Sequence, residues 1–244
     1  MSIWILAGAA VMLFLLYFIA DSARKTTQVM LEGKNAIRNL PFPVGERFVQ
    51  AYRRADDWAR SRGYQRREII YFSLVPEEDL MLTQGHADPD DAPYWLRAAF
   101  WWHPEKKTVF SITQVQHQTF ADFDTALGRP GGEPAYELTT SNHPDGAVVP
   151  RPERFPVQVF PGLAPEGLEP LHERALAWLR RQTGLEPLEL GEIVAHVRRH
   201  LKNQAEHALA HKPWHLRFYL WHLTKRARLN RPVQQLYARI ARDA

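Results

Sequence analysis

The sequence contains no cysteine in its 244 residues. Disulfide bonds, thiolate metal sites and cysteine nucleophiles are therefore excluded, while the cellular compartment is left open. The sequence also lacks a G-x-x-x-x-G-K-[ST] phosphate loop, a G-x-G-x-x-G fingerprint and the set of protein-kinase motifs. These absences argue against the common nucleotide-dependent enzymes.

Material for a folded core is present. Hydrophobic residues make up 45% of the chain, aromatic residues 11% and charged residues 24%. These shares are typical of a folded protein. The length allows one large domain, or one ordinary domain with appended segments.

Charge is distributed unevenly along the chain. Residues 172–244 contain fourteen Lys and Arg against six Asp and Glu, whereas residues 1–171 contain seventeen against twenty-one. A basic C-terminal part favours an acidic partner, which could be a phospholipid surface, a nucleic acid or an acidic face of a protein.

The N-terminus carries a long apolar run. Ser2–Ala20 comprises nineteen residues without a charge, and as a helix it would span roughly 28 Å, close to the hydrocarbon thickness of a bilayer. Trp4 and Tyr17 stand near its two ends, where amphipathic rings favour the membrane interface. The run predicts a transmembrane helix over residues 1–21.

Alternatives to this anchor are a cleaved signal peptide, a buried helix and a helix lying on the membrane. A cleaved signal peptide usually has a basic segment before a shorter apolar run, and a helix lying on the membrane needs a polar face.

Basic residues follow the apolar run, namely Arg24, Lys25, Lys34 and Arg38. The positive-inside rule then predicts a single-pass protein of the cell membrane, the inner membrane of a bacterial-type cell, with its N-terminus outside and its C-terminal part cytoplasmic.

A juxtamembrane linker is predicted over residues 22–43, ending at Pro41 and Pro43. An amphipathic helix follows, with Phe48, Tyr52, Ala55 and Ala59 on one face and Gly63 at its end. From Tyr64 to about Leu163 the pattern is that of strands, including a hairpin around the turn "PEKK". Several strands are apolar on both faces, as in a sheet covered by helices.

Helices are predicted again over 168–184, 190–211, 213–229 and 232–244. The order of elements indicates an α+β domain over residues 44–185, with an antiparallel sheet packed against helices as a two-layer sandwich. Residues 186–244 form a predicted basic helical tail.

Six of the eleven histidines lie between His196 and His222. On a continuous helix, four of them project from one side, because they are spaced by four and seven residues. Imidazole pairs at i and i+4 suit zinc or copper, although the general-base Glu of H-E-x-x-H is missing and a second element must supply further ligands. The candidate metal ligands are His196, His200, His207 and His211.

Two other interpretations of this helix remain open. The four histidines flank the apolar face centred on Ile193, Val197 and Leu201, where an amphipathic ring lies comfortably at the border between core and solvent. Alternatively, protonation near pH 6 would add positive charge to one face and strengthen binding to anionic lipid.

The segment 213–229 mixes aromatic and basic residues. This mixture is typical of a helix that binds a membrane surface or a protein partner. One alternative is a core helix whose last turn is basic. Another alternative is a contact with nucleic acid. No recognised nucleic-acid module accompanies it, so nucleic acid is the weakest of the three. The candidate binding residues are Trp214, Phe218, Trp221, Lys225, Arg226 and Arg228.

Two loops hold chemically versatile residues. "GHADPDDAP" contains His86, Asp88, Asp90 and Asp91, but its spacing matches no EF-hand loop. "TTSNHPDG" contains Ser141, His143 and Asp145, yet it lacks a G-x-S-x-G elbow and has the composition of a turn. Both are interpreted as ordinary turns.

Together these patterns predict a membrane-anchored accessory or scaffold protein without catalytic activity and without a cofactor. Its α+β domain and basic tail would bind a protein partner or anionic lipid headgroups. The alternative function is a membrane-tethered metal-binding protein or metalloenzyme that uses zinc or copper at the histidine-rich helix.

Overall fold

A computed structural model describes residues 3–32, 35–76, 95–115, 117–143, 154–210 and 239–243. The helices are α1 (Ile3–Glu32), α2 (Glu46–Ser61), α3 (Pro165–Thr183) and α4 (Ile193–Ala210), followed by a short helical segment at 239–243. The strands are β1 (Asn35–Leu40), β2 (Gln65–Pro76), β3 (Trp95–His103), β4 (Thr108–Val115), β5 (Gln118–Gly128), β6 (Tyr136–Ser141), β7 (Val157–Val159) and β8 (Glu186–Pro187).

The strands form one sheet of eight strands in the order β1-β2-β3-β4-β5-β6-β7, with β8 paired to β5. The pairs from β1 to β6 are antiparallel, whereas β7 runs parallel to β6. The predicted hairpin around "PEKK" is confirmed, because β3 and β4 pair from Arg97↔Gln114 to His103↔Thr108.

One face of the sheet, here called the α2 face, is covered by α2 and α3. Tyr52 of α2 stacks on Trp101 of β3 at a centroid distance of 5.5 Å. Trp101, Phe110 and Phe123 continue this aromatic row across three strands, and all three are fully buried. Large aromatic side chains bury much apolar area each, so this row anchors the domain.

The opposite face, here called the α4 face, is covered by α4. Ile193 of α4 packs with Ile70, Phe100 and Trp102 of the sheet. Consecutive residues of a strand point to opposite faces, so Trp101 and Trp102 belong to different layers. Because helices cover both faces, the predicted two-layer sandwich is corrected to a sheet between two helical layers.

A third cluster extends the α2 face toward the C-terminus. Leu127 and Leu138 pack with Leu176 of α3 and with Ile240 from the segment at 239–243. The indole of Trp178 donates a hydrogen bond to Asp243 at 2.9 Å. The end of the chain is thereby held on the sheet.

Glycine follows the end of two helices, and Gly63 does so as predicted. Gly63 has φ +87° two residues after the end of α2, and Gly184 has φ +67° directly after α3. Left-handed backbone at these positions favours glycine, which has no Cβ. The predicted buried face of α2, formed by Phe48, Tyr52, Ala55 and Ala59, is confirmed.

The predicted transmembrane helix is corrected. Within the residues that the structure describes, no helix combines the length and the apolarity needed to cross a membrane. The apolar run is not a separate element, because α1 continues without a break to Glu32 and includes the ion pair of Lys25 with Asp21 at 2.9 Å. α1 contacts α4 and β2.

The predicted single-pass localisation, with an outer N-terminus and a cytoplasmic C-terminal part, depends on that helix and is corrected with it. Of the predicted interface residues, Tyr17 is exposed, and the side chains of Trp4 and Arg24 lie outside the described part of the chain. The side chains at 11–18 are exposed on α1.

Candidate functional site

A charged groove lies between the end of α2 and the start of β2 and is here called the arginine groove. It consists of two depressions that share Arg66. The first, of about 530 Å³, is lined by Asp56, Arg60, Gly63, Tyr64, Gln65 and Arg66. The second, of about 290 Å³, is lined by Asn39, Leu40, Pro41, Arg66, Arg67, Glu68 and Ile69.

A β-bulge in β2 shapes this groove. Arg66 is paired with Trp101 and Ile69 with Ala99, so two residues of β2, Arg67 and Glu68, lie opposite one residue of β3. In a regular strand, residues three apart point to opposite faces. The extra residue instead places Arg66 and Ile69 on the same face and re-aims the strand between them.

The three arginines of the groove share its lining with two carboxylates, Asp56 and Glu68. Arg66 donates a hydrogen bond to the hydroxyl of Tyr52 at 3.1 Å. Arg60 lies 3.9 Å from Asp56, and its side chain is 73% exposed. Asp56 also accepts a hydrogen bond from the indole of Trp101 at 2.8 Å. These guanidinium groups can therefore still bind an anion.

Behind Gly63 and Tyr64 lies a buried carboxylate, Glu169 of α3, whose two oxygens are fully used. Arg62 donates to Oε2 from Nε at 3.0 Å and from Nη2 at 2.8 Å. Tyr64 and Lys106 donate to Oε1 at 3.1 and 2.7 Å. Burial alone would raise the pKa of Glu169, but the hydrogen bonds from Lys106 and Arg62 outweigh burial and lower it.

His172 of α3 is also saturated. Its Nε2 lies 2.9 Å from the hydroxyl of Thr125 and its Nδ1 2.9 Å from the hydroxyl of Thr140. Burial lowers the pKa of His172 to about 3, so the ring is neutral at physiological pH. Fully bonded groups of this kind specify the packing of the interior rather than a reaction.

A histidine–carboxylate cluster lies under α4 on the opposite face. Glu137 of β6 is 1% exposed. His196 Nε2 and His200 Nδ1 each lie 3.3 Å from the same carboxylate oxygen, Glu137 Oε1. The other oxygen, Oε2, is buried without a hydrogen-bond partner. Two predicted metal ligands therefore share one buried acceptor.

Ionisation in this cluster is set by burial and by the imidazoles. Burial alone would raise the pKa of Glu137, but the hydrogen bond and charge of His200 outweigh burial and lower it to about 2. Burial lowers the pKa of His196 to about 4. Near neutral pH, Glu137 is an anion and His196 is neutral.

Asp124 of β5 adjoins this cluster. It accepts a hydrogen bond from the hydroxyl of Thr139 at 2.5 Å. Burial, followed by the charge of Asp122, raises the pKa of Asp124 to about 7. The α4 face thus holds one carboxylate that stays ionised and one that is protonated more readily.

The structure brings together two of the four predicted metal ligands, His196 and His200. The side chain of His207 and all of His211 lie outside the described residues. Among the residues that are described, no group of three or more His, Asp or Glu side chains is arranged to hold a metal ion. His196 is buried and His200 is half-buried.

Other predicted residues lie outside the described part of the chain. These include the loop at 85–93 and the six candidate partner-binding residues, Trp214, Phe218, Trp221, Lys225, Arg226 and Arg228. Ser141, by contrast, is in β6, and its hydroxyl accepts a hydrogen bond from the backbone N–H of His143 at 2.9 Å. This bond is consistent with the turn interpretation.

The arginine groove is not predicted from the sequence, because the period of α2 indicates only which of its residues face the core. A local signal exists in "ARSRGYQRRE", where four arginines surround a glycine at a helix-to-strand junction. Charge clustering at such a junction indicates an anion-binding surface.

No protein-family model, curated protein or solved structure matches the chain. The function is therefore argued from the geometry of the described residues alone.

Proposed function

We propose that this protein is an accessory binding protein, without catalytic activity, whose sheet domain binds an anionic partner through the arginine groove. The observation that carries this proposal is Arg66, which lines two adjoining depressions together with Arg60 on one side and Arg67 on the other.

Comparison with the interior supports a binding role. The carboxylate of Glu169 has four donor contacts, and His172 has a hydroxyl on each ring nitrogen. A general acid, a general base or a nucleophile must be able to reach a substrate. Glu169 and His172 have no hydrogen-bonding position left for a substrate, whereas the guanidinium groups of the groove still have N–H groups that can bind a ligand.

The test uses a fluorescein-labelled hexaglutamate peptide as an anionic probe, with binding followed by fluorescence anisotropy at low salt. We expect Arg66→Gln to weaken binding about tenfold or more, since a hydrogen bond to a charged group contributes about 1.5–3 kcal/mol. Arg174→Gln removes an exposed arginine of α3 outside the groove and is the matched control. Equal loss in both variants contradicts the proposal, and so does an unaltered protein that binds neither this peptide nor a small phosphate anion.

A metal-binding protein is a second candidate, and one observation favours it. His196 and His200 approach the same oxygen of an ionised carboxylate whose other oxygen has no partner. Neutral imidazole and carboxylate are the protonation states that metal ligation requires. Elemental analysis of the untagged protein tests this candidate: stoichiometric zinc or copper that is lost in His196→Ala supports it, and a metal-free protein after incubation with zinc contradicts it.

A further inference from the structure

The positive surface of the arginine groove is short. Upstream of it, Asp56 and Asp57 interrupt the arginines of α2, and downstream Glu68 follows Arg67 directly. A long polyanion such as a nucleic acid requires a positive track over many residues. The groove instead concentrates three arginines, Arg60, Arg66 and Arg67, within eight positions.

The groove also has the dimensions of a small-molecule site. Its two depressions, of about 530 and 290 Å³, lie within the usual range of ligand pockets, about 300–1,000 Å³, or near its lower limit. Arg60 lines the first depression, Arg67 lines the second, and Arg66 lines both. Each depression also has a side-chain amide in its lining, Gln65 in the first and Asn39 in the second.

We propose that the arginine groove binds a small organic molecule that carries two phosphate groups, one in each depression, with Arg66 between them. This inference rests on the proposed function and specifies the class of anion. The planar guanidinium group binds phosphate through two parallel hydrogen bonds, and arginine is therefore favoured where phosphate is recognised. Asp56 in the first depression can accept a hydrogen bond from a hydroxyl group of the ligand.

Glycine at position 63 forms the turn beside the first depression. Its φ of +87° is in the left-handed region, which favours glycine, and an added Cβ would lie 3.2 Å from His103 Nε2. The turn from α2 into β2, which brings Arg60 and Arg66 to the same depression, therefore depends on this glycine.

The experiment is calorimetric titration of the full-length protein with inorganic pyrophosphate, orthophosphate and hexaglutamate. We expect pyrophosphate to bind at least about tenfold more tightly than orthophosphate, because its two phosphoryl groups can contact Arg66 and a second arginine at the same time. Arg60→Gln and Arg67→Gln should each weaken pyrophosphate binding about tenfold, and Arg66→Gln about a hundredfold, since Arg66 contacts both groups.

Two controls separate ligand binding from folding. Tyr52→Phe removes the hydrogen bond to Arg66 but keeps the guanidinium group, so it should retain pyrophosphate binding within about twofold. Arg174→Gln should likewise leave binding unchanged. Urea denaturation of each variant confirms that it is folded.

The outcomes distinguish this inference from the proposed function. Equal affinity for orthophosphate and pyrophosphate, or no greater loss in Arg66→Gln than in Arg60→Gln, overturns the two-phosphate ligand. Arg66-dependent binding of hexaglutamate without pyrophosphate binding overturns it as well, while the proposed function stands. If none of the three probes binds, both proposals are wrong.

Discussion

Two buried glutamates, Glu169 and Glu137, occupy opposite faces of the same sheet and are stabilised in different ways. Glu169 is held by Arg62, Lys106 and Tyr64. Glu137 is held by two imidazoles that share one of its oxygens, while the other oxygen has no partner among the described residues. The partners of Glu169 are two cations and a phenol, which stay protonated throughout the physiological pH range, whereas His196 is neutral there because burial lowers its pKa to about 4.

This difference separates a carboxylate held by fixed cations from a carboxylate held by imidazoles. The Glu169 cluster joins the turn after α2, the β3–β4 turn and α3, and its hydrogen bonds persist at every pH at which Glu169 is ionised. The Glu137 cluster joins α4 to β6. The attachment of α3 to the sheet therefore includes ion pairs with Arg62 and Lys106, whereas the attachment of α4 includes contacts between imidazole and a carboxylate.

The largest expected effect comes from removing both cations of Glu169. In the double variant Arg62→Met and Lys106→Met, a carboxylate that is 2% exposed keeps only Tyr64 as a donor. We expect a loss of about 3–5 kcal/mol in the free energy of unfolding at pH 7, since an unpaired buried charge remains. Urea denaturation measures this loss.

The pH dependence of that loss follows from the lowered pKa of Glu169. A carboxyl group whose pKa is lower in the folded state stabilises the fold at pH values above its unfolded pKa, near 4.5. This contribution is lost as the pH falls from there through the folded pKa. The difference between double variant and unaltered protein should therefore shrink at acid pH. Glu173→Gln removes only the exposed partner of Lys106 and should cost less than about 0.5 kcal/mol. A similar cost in both would contradict the role assigned to Glu169.

A smaller loss is expected for Glu137→Gln. The amide keeps the shape but not the charge of the acceptor, so we expect a loss of about 1–3 kcal/mol at pH 7. The folded pKa of Glu137 is about 2, and the contribution of its charge should disappear as pH falls from about 4.5 toward 2. Urea denaturation at pH 7, 4.5 and 3 checks this. An equal loss at all three values would show that the charge of Glu137 is not responsible.

Asp124→Asn is expected to act in the opposite direction. The folded pKa of Asp124, about 7, is raised above its unfolded value, so the ionised group costs stability as pH rises from about 4 through 7. The amide can still accept the hydrogen bond from Thr139. We expect a gain of about 1 kcal/mol at pH 8 and almost none at pH 4. Thermal unfolding at the two values measures the gain, and a loss at pH 8 would contradict the prediction.

The smallest effect on stability is expected in the arginine groove. Arg60→Gln removes an exposed ion pair with Asp56 and should change the free energy of unfolding by less than about 0.5 kcal/mol. Its effect on anion binding should be much larger than this. A large loss of stability would instead place Arg60 among the structural contacts of the fold.

Local patterns in the sequence predict part of this fold. The period of Phe48, Tyr52, Ala55 and Ala59 predicts α2, and two strand-like runs around a polar turn predict the β3–β4 hairpin. In both cases the signal is contained within about twenty residues. Strand β5 is not predicted, because Asp122 and Asp124 alternate with its apolar residues and aspartate is depleted in strands. Asp122 and Asp124 lie on the α4 face of the sheet, whereas polar residues of a strand usually face solvent.

The candidate sites depend on contacts between distant parts of the chain. Arg62 reaches Glu169 across 107 positions, and His200 reaches Glu137 across 63. No spacing rule connects such pairs. The histidine pattern predicts correctly that His196 and His200 lie on one side of a helix, but it carries no information about the carboxylate that they meet.

The bulge at Arg67 and Glu68 has a consequence for deletions in β2. Deleting one of these two residues would leave a single residue between Arg66 and Ile69, and the alternation of a regular strand would keep both side chains on the same face. The deletion would instead remove the local bend and added twist of a bulged strand. Only residues 62–64 separate α2 from β2, so the extra residue sets the shape of the arginine groove rather than the face that Arg66 occupies.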